Sequence, residues 1–289
     1  EPKPLVSIII PTRNQQKLLQ TCLNSIQNQT KYLNYEILVV DNRSDDPEIF
    51  AYFDEIAKDG KISLLKYPYA FNYSAINNHA AKYANGEVLL FLNNDIEVIS
   101  PGCLGGMVGH AVRPNIGAVG AMLYYPNNTI QHAGVVLGLK GDAGHIYYGS
   151  PRGTIGQRGR LRLAQNLSAV TAACMALEKS KFIEVNGFNE QALTVAYNDI
   201  DLCLRLIKAG YRNLWTPQAE LYHYESASRS YEDTPEKIAR VSAEAAYLVS
   251  QWAEMIANDP AYNPNLTLSL PDFSLAFPPR VTPPWINRN

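Results

Sequence analysis

The first hundred residues alternate between two hydrophobic rhythms. Short, mostly apolar runs at 6–10, 36–40, 62–66 and 88–92, several rich in β-branched residues, read as buried strands. Between them, 15–28 carries Leu18, Leu19, Cys22, Leu23 and Ile26 at helical spacing, and 47–58 sets Ile49, Phe50, Phe53 and Ile56 on one face. A third helix is expected over 74–84, ended by the C-cap pair Asn85-Gly86. Strand and helix in alternation predict an α/β fold, with a mostly parallel central sheet and helices on both faces. Right-handed crossovers would bring the strand C-termini to one edge, the usual place for a ligand.

The pattern changes after residue 100. Fourteen of the eighteen glycines fall between 101 and 160, where apolar runs are short. The spacing predicts a helix over 102–111, a strand over 118–123, a hairpin over 130–139 and a buried strand over 169–177. Helices follow at 179–186, 200–209 and 235–257. The last has an apolar stripe of Ile238, Val241, Ala245, Leu248, Trp252 and Met255. Residues 1–258 are expected to form one domain with a C-terminal helix. The proline-rich 259–289 segment has no periodic stripe and reads as an extended tail or interdomain linker.

Composition narrows the classes. A chain of 289 residues, 46% of them hydrophobic, can bury a core without metals or disulfides to hold it. Its 25 basic and 27 acidic residues give a net charge of −2, which argues against a nucleic-acid partner. Cys22, Cys103, Cys174 and Cys203 form no C-x-x-C pair and read as buried free thiols in a reducing compartment. No apolar run reaches the roughly 18 residues of a transmembrane segment, and the run at 5–10 is too short for a signal peptide. A cytoplasmic location is therefore expected. The opening Glu-Pro-Lys-Pro, without Met, suggests a piece of a longer polypeptide with neighbouring domains.

Three carboxylates fall where such a sheet presents them. Asp41 and Asp95 each follow a strand, and Asp199 opens a helix. Each alone reads equally as a cap or turn former. Asn93-Asn94-Asp95 delivers one carboxylate and two amides to the ligand edge. That suits a hard divalent cation whose other positions are filled by water and phosphate, or an Asx turn. His223 lies 24 residues after Asp199, with a turn between, so helix and strand can return it toward Asp199 and Asp95. Ser226 and Arg229 beyond it are placed to clamp phosphate. His132 and His145 bracket a glycine-rich stretch, either lining an acceptor pocket or serving the structure.

Five ordered segments resemble glycosyltransferase family 2, with its GT-A fold, over roughly residues 5–257. Residues 6–14 (Val-Ser-Ile-Ile-Ile-Pro-Thr-Arg-Asn) are similar to its opening strand and nucleotide loop. Val39-Val40-Asp41-Asn42-Arg43-Ser44-Asp45 resembles the segment whose first Asp holds the nucleotide base. Asn93-Asn94-Asp95 occupies the D-x-D position, Asn198-Asp199-Ile200-Asp201 the stretch bearing the catalytic base, and His223 the metal-binding position. Residues 71–78, 130–134 and 222–229 look like transferase domains of large bacterial cell-surface polysaccharide proteins, rhamnosyltransferase-like ones among them.

The resemblance implies an inverting, metal-dependent transferase. It would move a sugar from a UDP- or dTDP-linked donor to a glycan or lipid-linked glycan acceptor, in cytoplasm or at the inner membrane face. Asp199 would be the base. Asp95 and His223 would hold magnesium or manganese. Pro11, Thr12, Arg13, Asn14, Asp41 and Asn94 would contact the nucleotide, with Asn72 and Asn77 toward its ribose or diphosphate. Ser226, Arg229, Asn198, His132 and His145 would serve phosphate or acceptor. The nucleotide half would be about 1–100 and the acceptor half 101–258. Asn93 and Asn198 replace two carboxylates of the family pattern and lower the site's negative charge. They support the alternative of a degenerate, glycan-binding or scaffolding module, against which the retained Asp41, Asp95, Asp199 and His223 speak. A nucleotidyltransferase would show a glycine- and lysine-rich first loop, which Pro11-Thr12-Arg13-Asn14 is not.

Overall fold

The computed structural model describes residues 3–224 and 234–281. Its first half is β1 (Val6–Thr12), α1 (Gln16–Gln29), β2 (Tyr35–Asp41), α2 (Pro47–Ile56), β3 (Ile62–Lys66), α3 (Tyr73–Tyr83), β4 (Val88–Leu92) and β5 (Ile96–Val98). The middle is α4 (Cys103–Ala111), β6 (Ile116–Tyr124), β7 (Ile130–His132), β8 (Val135–Leu137) and β9 (Ala143–His145). Then come β10 (Gln165–Leu167), β11 (Cys174–Glu178), α5 (Lys179–Glu184), α6 (Asn198–Lys208), β12 (Arg212–His223) and α7 (Pro235–Ala257).

One large sheet runs β10-β12-β6-β11-β4-β1-β2-β3, with β5 on β12 and β7 on β6. The β3-β2-β1-β4 half is parallel. β11 lies antiparallel to both β4 and β6, and β6 and β12 are parallel to each other. Two reversals restore direction, so β12 ends on the same edge as β1, β2 and β4. That is how His223, at the last residue of β12, reaches the end of β4. The short β5 completes the corner: its Ile96 pairs with His223.

The two-residue period of the strands sorts the core into two layers. Ile8, Ile10, Ile37, Val39, Leu90 and Leu92 pack with Leu19, Leu23, Ile49, Phe53 and Met107 of α1, α2 and α4. Ile9, Leu38, Val40, Leu89 and Phe91 pack with Ile76, Phe182, Leu202, Leu206 and Leu248 of α3, α5, α6 and α7. Helices thus cover both faces. α2 starts at an Asp46 cap followed by Pro47, and α7 at a Thr234 cap followed by Pro235. The four cysteines are free and buried; burial pushes the Cys22 and Cys203 thiols up, which keeps them protonated and inert.

Four expectations are corrected. Gly86 is not a left-handed cap: α3 ends at an extended Ala84, and a Cβ on Gly86 would lie 2.6 Å from the Ser7 backbone nitrogen. Glycine is needed there for close approach to β1. Residues 130–139 are not one hairpin, since β7 pairs with β6 and β8 with β9. The apolar 169–177 run splits: only Cys174–Glu178 is strand, because Ala169 makes a single bridge to Val135 and the chain then turns at Ala172–Ala173. Ile238 is 52% exposed and is not on the inward stripe of α7.

The segment 259–281 lies along residues 137–168. Asp259 accepts from the Ser168 hydroxyl and the Leu137 and Ala261 backbone N–H groups. Lys140 N–H donates to the Leu268 carbonyl and Tyr147 N–H to that of Pro271. Tyr262 and Phe273 are buried in the core, and Phe273 stacks on Tyr147 at 5.7 Å between ring centroids. Residues 282–289 lie outside the described residues.

Candidate active site

The loop after β1 and the turn after β4 wall a cavity of about 320 Å³. Pro11, Thr12, Arg13, Asn42, Asn93 and Asn94 line it from the sheet edge, Phe71, Tyr73 and Ile76 from α3 and its approach, and Lys237 and Arg240 from α7. The loops are fixed by amides. Asn94 Nδ2 donates to Thr12 Oγ1 at 3.0 Å. Asn42 Nδ2 donates to the carbonyls of Tyr67 and Tyr69. Asn14, at φ 53°, clasps the loop after β2: its side chain donates to Asp45 Oδ1 and accepts from Asp45 and Asp46 N–H. Asp41, at the end of β2, accepts from Ser44 N–H with Oδ1. Pro11, Thr12, Arg13 and Asn94 therefore reach the cavity, while Asn14 shapes its rim.

Asp95 and His223 meet. His223 Nε2 lies 3.2 Å from Asp95 Oδ1, both side chains being buried. Tyr224 N–H donates to the Asp95 carbonyl and holds the corner closed. His223 Nδ1 lies 2.8 Å from Gln131 Oε1, an acceptor, an arrangement that matches the tautomer with its proton on Nδ1 and a lone pair on Nε2. Asn93 Nδ2 stands 3.3 Å from the same nitrogen. Two lone-pair donors converging at this spacing fit adjacent ligand positions on one small divalent cation. The Gln131 contact is the outer hydrogen bond that orients a ligating imidazole. Among the described residues no group of three or more His, Cys, Asp or Glu that could hold a metal ion forms.

Beside it, His132 Nδ1 and His145 Nδ1 are 2.9 Å apart, with the rings edge to face. The backbone N–H of Thr171 points at His132 Nε2, at 3.4 Å. The next N–H, of Ala172, donates to Asp199 Oδ2 at 3.0 Å. The 169–173 turn thus links the histidine pair to the carboxylate. Asp199 Oδ1 accepts from Ile200 N–H. Tyr197, not Asp199, is the N-cap of α6, at φ 60° with no side-chain cap. The turn before it is held by a buried carboxylate: Glu244 Oε1 accepts from Thr194 N–H, Thr194 Oγ1 and Val195 N–H, and Oε2 from Ala196 N–H. Tyr197 Oη donates to Asp142.

Four expected contact residues serve the structure. Asn72 caps α3 through Ala75 N–H and straps it to the Glu190 carbonyl. Asn77 is fully buried and donates to the Tyr73 carbonyl. Asn198 is buried and donates to the Val195 carbonyl. His132 is fully buried, so His145, half-buried, is the member of the pair nearer an acceptor. Ser226 and Arg229 lie outside the described residues. Sequence reading missed Gln131, Lys237, Arg240 and Glu244. The signal for Glu244 was present, a lone carboxylate between Val241, Ala245 and Leu248 on the stripe of α7.

The sequence model described as Glycosyl transferase family 2 matches residues 7–185. An uncharacterized protein, y4gI, of Sinorhizobium fredii is 50% identical over 279 residues, 96% of this chain and 31% of that protein. The O-antigen biosynthesis protein RfbC of Myxococcus xanthus is 43% identical over 94% of this chain and 21% of its own length. The chain thus spans a third or less of these relatives. Among solved structures, GalNAc-T7 with UDP, GalNAc and Mn2+ superposes with a TM-score of 0.71 at 16% identity, covering 89% of this chain and 49% of that one. That likeness shows a shared GT-A fold.

Proposed function

The chain belongs to glycosyltransferase family 2, and from that premise we propose that it is an inverting transferase moving a sugar from a UDP- or dTDP-linked donor to a glycan hydroxyl in bacterial surface polysaccharide synthesis. The observation that carries the reading is the meeting of Asp95 and His223 at the end of β4, beside a cavity walled by the loop after β1.

The nucleotide would sit in the cavity, between the Pro11–Arg13 loop and the ring of Phe71, with Asp41 at the base. Asp95 and His223 would hold a divalent cation, magnesium or manganese, whose charge offsets that of the departing diphosphate. Asp199 would take the proton of the attacking hydroxyl. Its two backbone donors fix its direction and leave electron pairs for a third partner. A single base and no enzymic nucleophile give one displacement with inversion. Tyr197, Glu244 and the 194–196 turn hold that base in place. Among the described residues no helix is long and apolar enough to cross a membrane. A lipid-linked acceptor would be met from the cytoplasmic face, through flanking domains.

The test is acceptor-dependent release of nucleoside diphosphate from a panel of UDP- and dTDP-sugars, using lipid-linked glycan acceptors. Asp199→Asn keeps shape and removes basicity, so turnover should fall about 10²–10⁴-fold with donor affinity little changed. No release by the parent protein across the panel would leave a binding module instead.

A further inference from the structure

The inward face of α7 is set by Glu244, Ala245 and Leu248, which are buried or half-buried. Stepping back by four and then three residues along the same face reaches Arg240 and Lys237. Both are half-buried, whereas Ile238, the one large aliphatic residue of that turn, is left 52% exposed. A helix that turns two cations inward and an isoleucine outward is not following burial of apolar surface. The inward direction at this end of α7 faces the cavity, and both cations line it. With Arg13 they put three cations and no carboxylate among its described lining residues, in a chain whose net charge is −2. Glu244 Oε2, which accepts one N–H of the 194–196 turn, also lies 3.8 Å from Arg240 Nε, an i,i+4 ion pair that holds the guanidinium at the cavity wall.

We propose that Lys237 and Arg240 bind the diphosphate of the donor and neutralise the charge that collects on it as the sugar leaves. The proposal rests on the donor reading above. In the transfer, the bond from the anomeric carbon to the diphosphate oxygen breaks and its electron pair stays on that oxygen. A bond from the acceptor oxygen to the anomeric carbon forms, and the acceptor proton goes to Asp199. The diphosphate thereby gains about one unit of negative charge, and fixed cations aimed at it favour that change. The substitution of Asn93 for a carboxylate leaves Asp95 as the carboxylate of the cation site, so the protein's positive charge carries more of the neutralisation.

The test compares binding of UDP and dTDP with binding of uridine and thymidine, by calorimetry in magnesium buffer. The proteins are the parent, Lys237→Met, Arg240→Met and the double variant. Each single change should weaken the diphosphates about tenfold or more, and the double change about a hundredfold, with nucleoside affinity unchanged. The charge-keeping pair Lys237→Arg and Arg240→Lys should retain most diphosphate affinity, and melting temperatures report whether each variant is folded. Equal diphosphate affinity in the parent and the double variant would overturn the proposal. So would an equal loss for nucleoside and diphosphate, which would make the two residues mere walls of the cavity. A parent that binds neither diphosphate would remove the donor reading itself, and this proposal with it.

Discussion

His132 has no solvent contact, and both of its ring nitrogens face partners inside the protein. Burial, with His145 and His223 beside it, holds its pKa well below the usual histidine range. The folded protein therefore keeps His132 neutral at pH values where an unfolded chain protonates it. Below about pH 6.5 the unfolded state binds the extra proton, so stability falls as pH falls, by about 1.4 kcal/mol per pH unit for this one group. His110, lowered by its own burial, adds to the slope with the same sign. Urea unfolding at pH 5, 6 and 7 should show the loss, and His132→Gln should flatten the slope by one proton. An unchanged slope would mean that His132 is charged when folded. At this scale the sequence was most legible where a residue's chemistry is scarce: Asp95 and His223 meet, as their positions after strand and turn implied. Asparagines were the least legible. Asn72 is spoken for by a carbonyl 118 residues away, and only the tertiary fold reveals such a partner.

α7 couples two parts of the molecule through one side chain. Glu244, 3% exposed, gathers three backbone N–H groups and one hydroxyl from the turn that leads into Asn198 and Asp199. A buried carboxylate so surrounded is stabilised by its donors, and the donors in turn depend on it. Glu244→Ala should cost about 3 kcal/mol or more, because it leaves several buried donors without an acceptor. Glu244→Gln should cost less: a carbonyl at the Oε1 position still serves three donors, and only Ala196 N–H would face an amide. Chemical denaturation of the two variants checks the order, and a cost below about 1 kcal/mol for alanine would mean that water replaces the carboxylate. The bounds of β3, β4 and α7 follow directly from the hydrophobic pattern. The failures at 130–139 and 169–177 share a cause. Which strand a short apolar run pairs with, and where within the run pairing stops, depends on distant chain, and periodicity does not report it.

Over the whole chain, the 259–281 segment decides whether the region around 130–170 stands on its own. Its prolines and lack of periodicity read as a linker, since neither a helical nor a strand period can be found in it. The structure lays it along the domain instead, with anchors that no periodic pattern reports. Asp259 closes hydrogen bonds at Leu137 and Ser168, and Phe273, 1% exposed, packs on Tyr147, Tyr262 and Arg160. Tyr147 follows His145 by two residues, so the segment supports the strand carrying the half-buried member of the histidine pair. Removing the Phe273 ring should therefore act as a core truncation, at about 3–5 kcal/mol. For a chain of this size that is a fall in melting temperature of about 10 °C. Phe273→Leu, which keeps most of the apolar volume, should recover much of it. Acceptor-dependent turnover should fall in Phe273→Ala at temperatures below its melting point, while UDP binding, proposed for the cavity between the loop after β1 and α7, should hold. A melting temperature within about 2 °C of the parent would make the segment a loosely laid linker after all, and that region would then have to be held by β8, β9 and α7 alone.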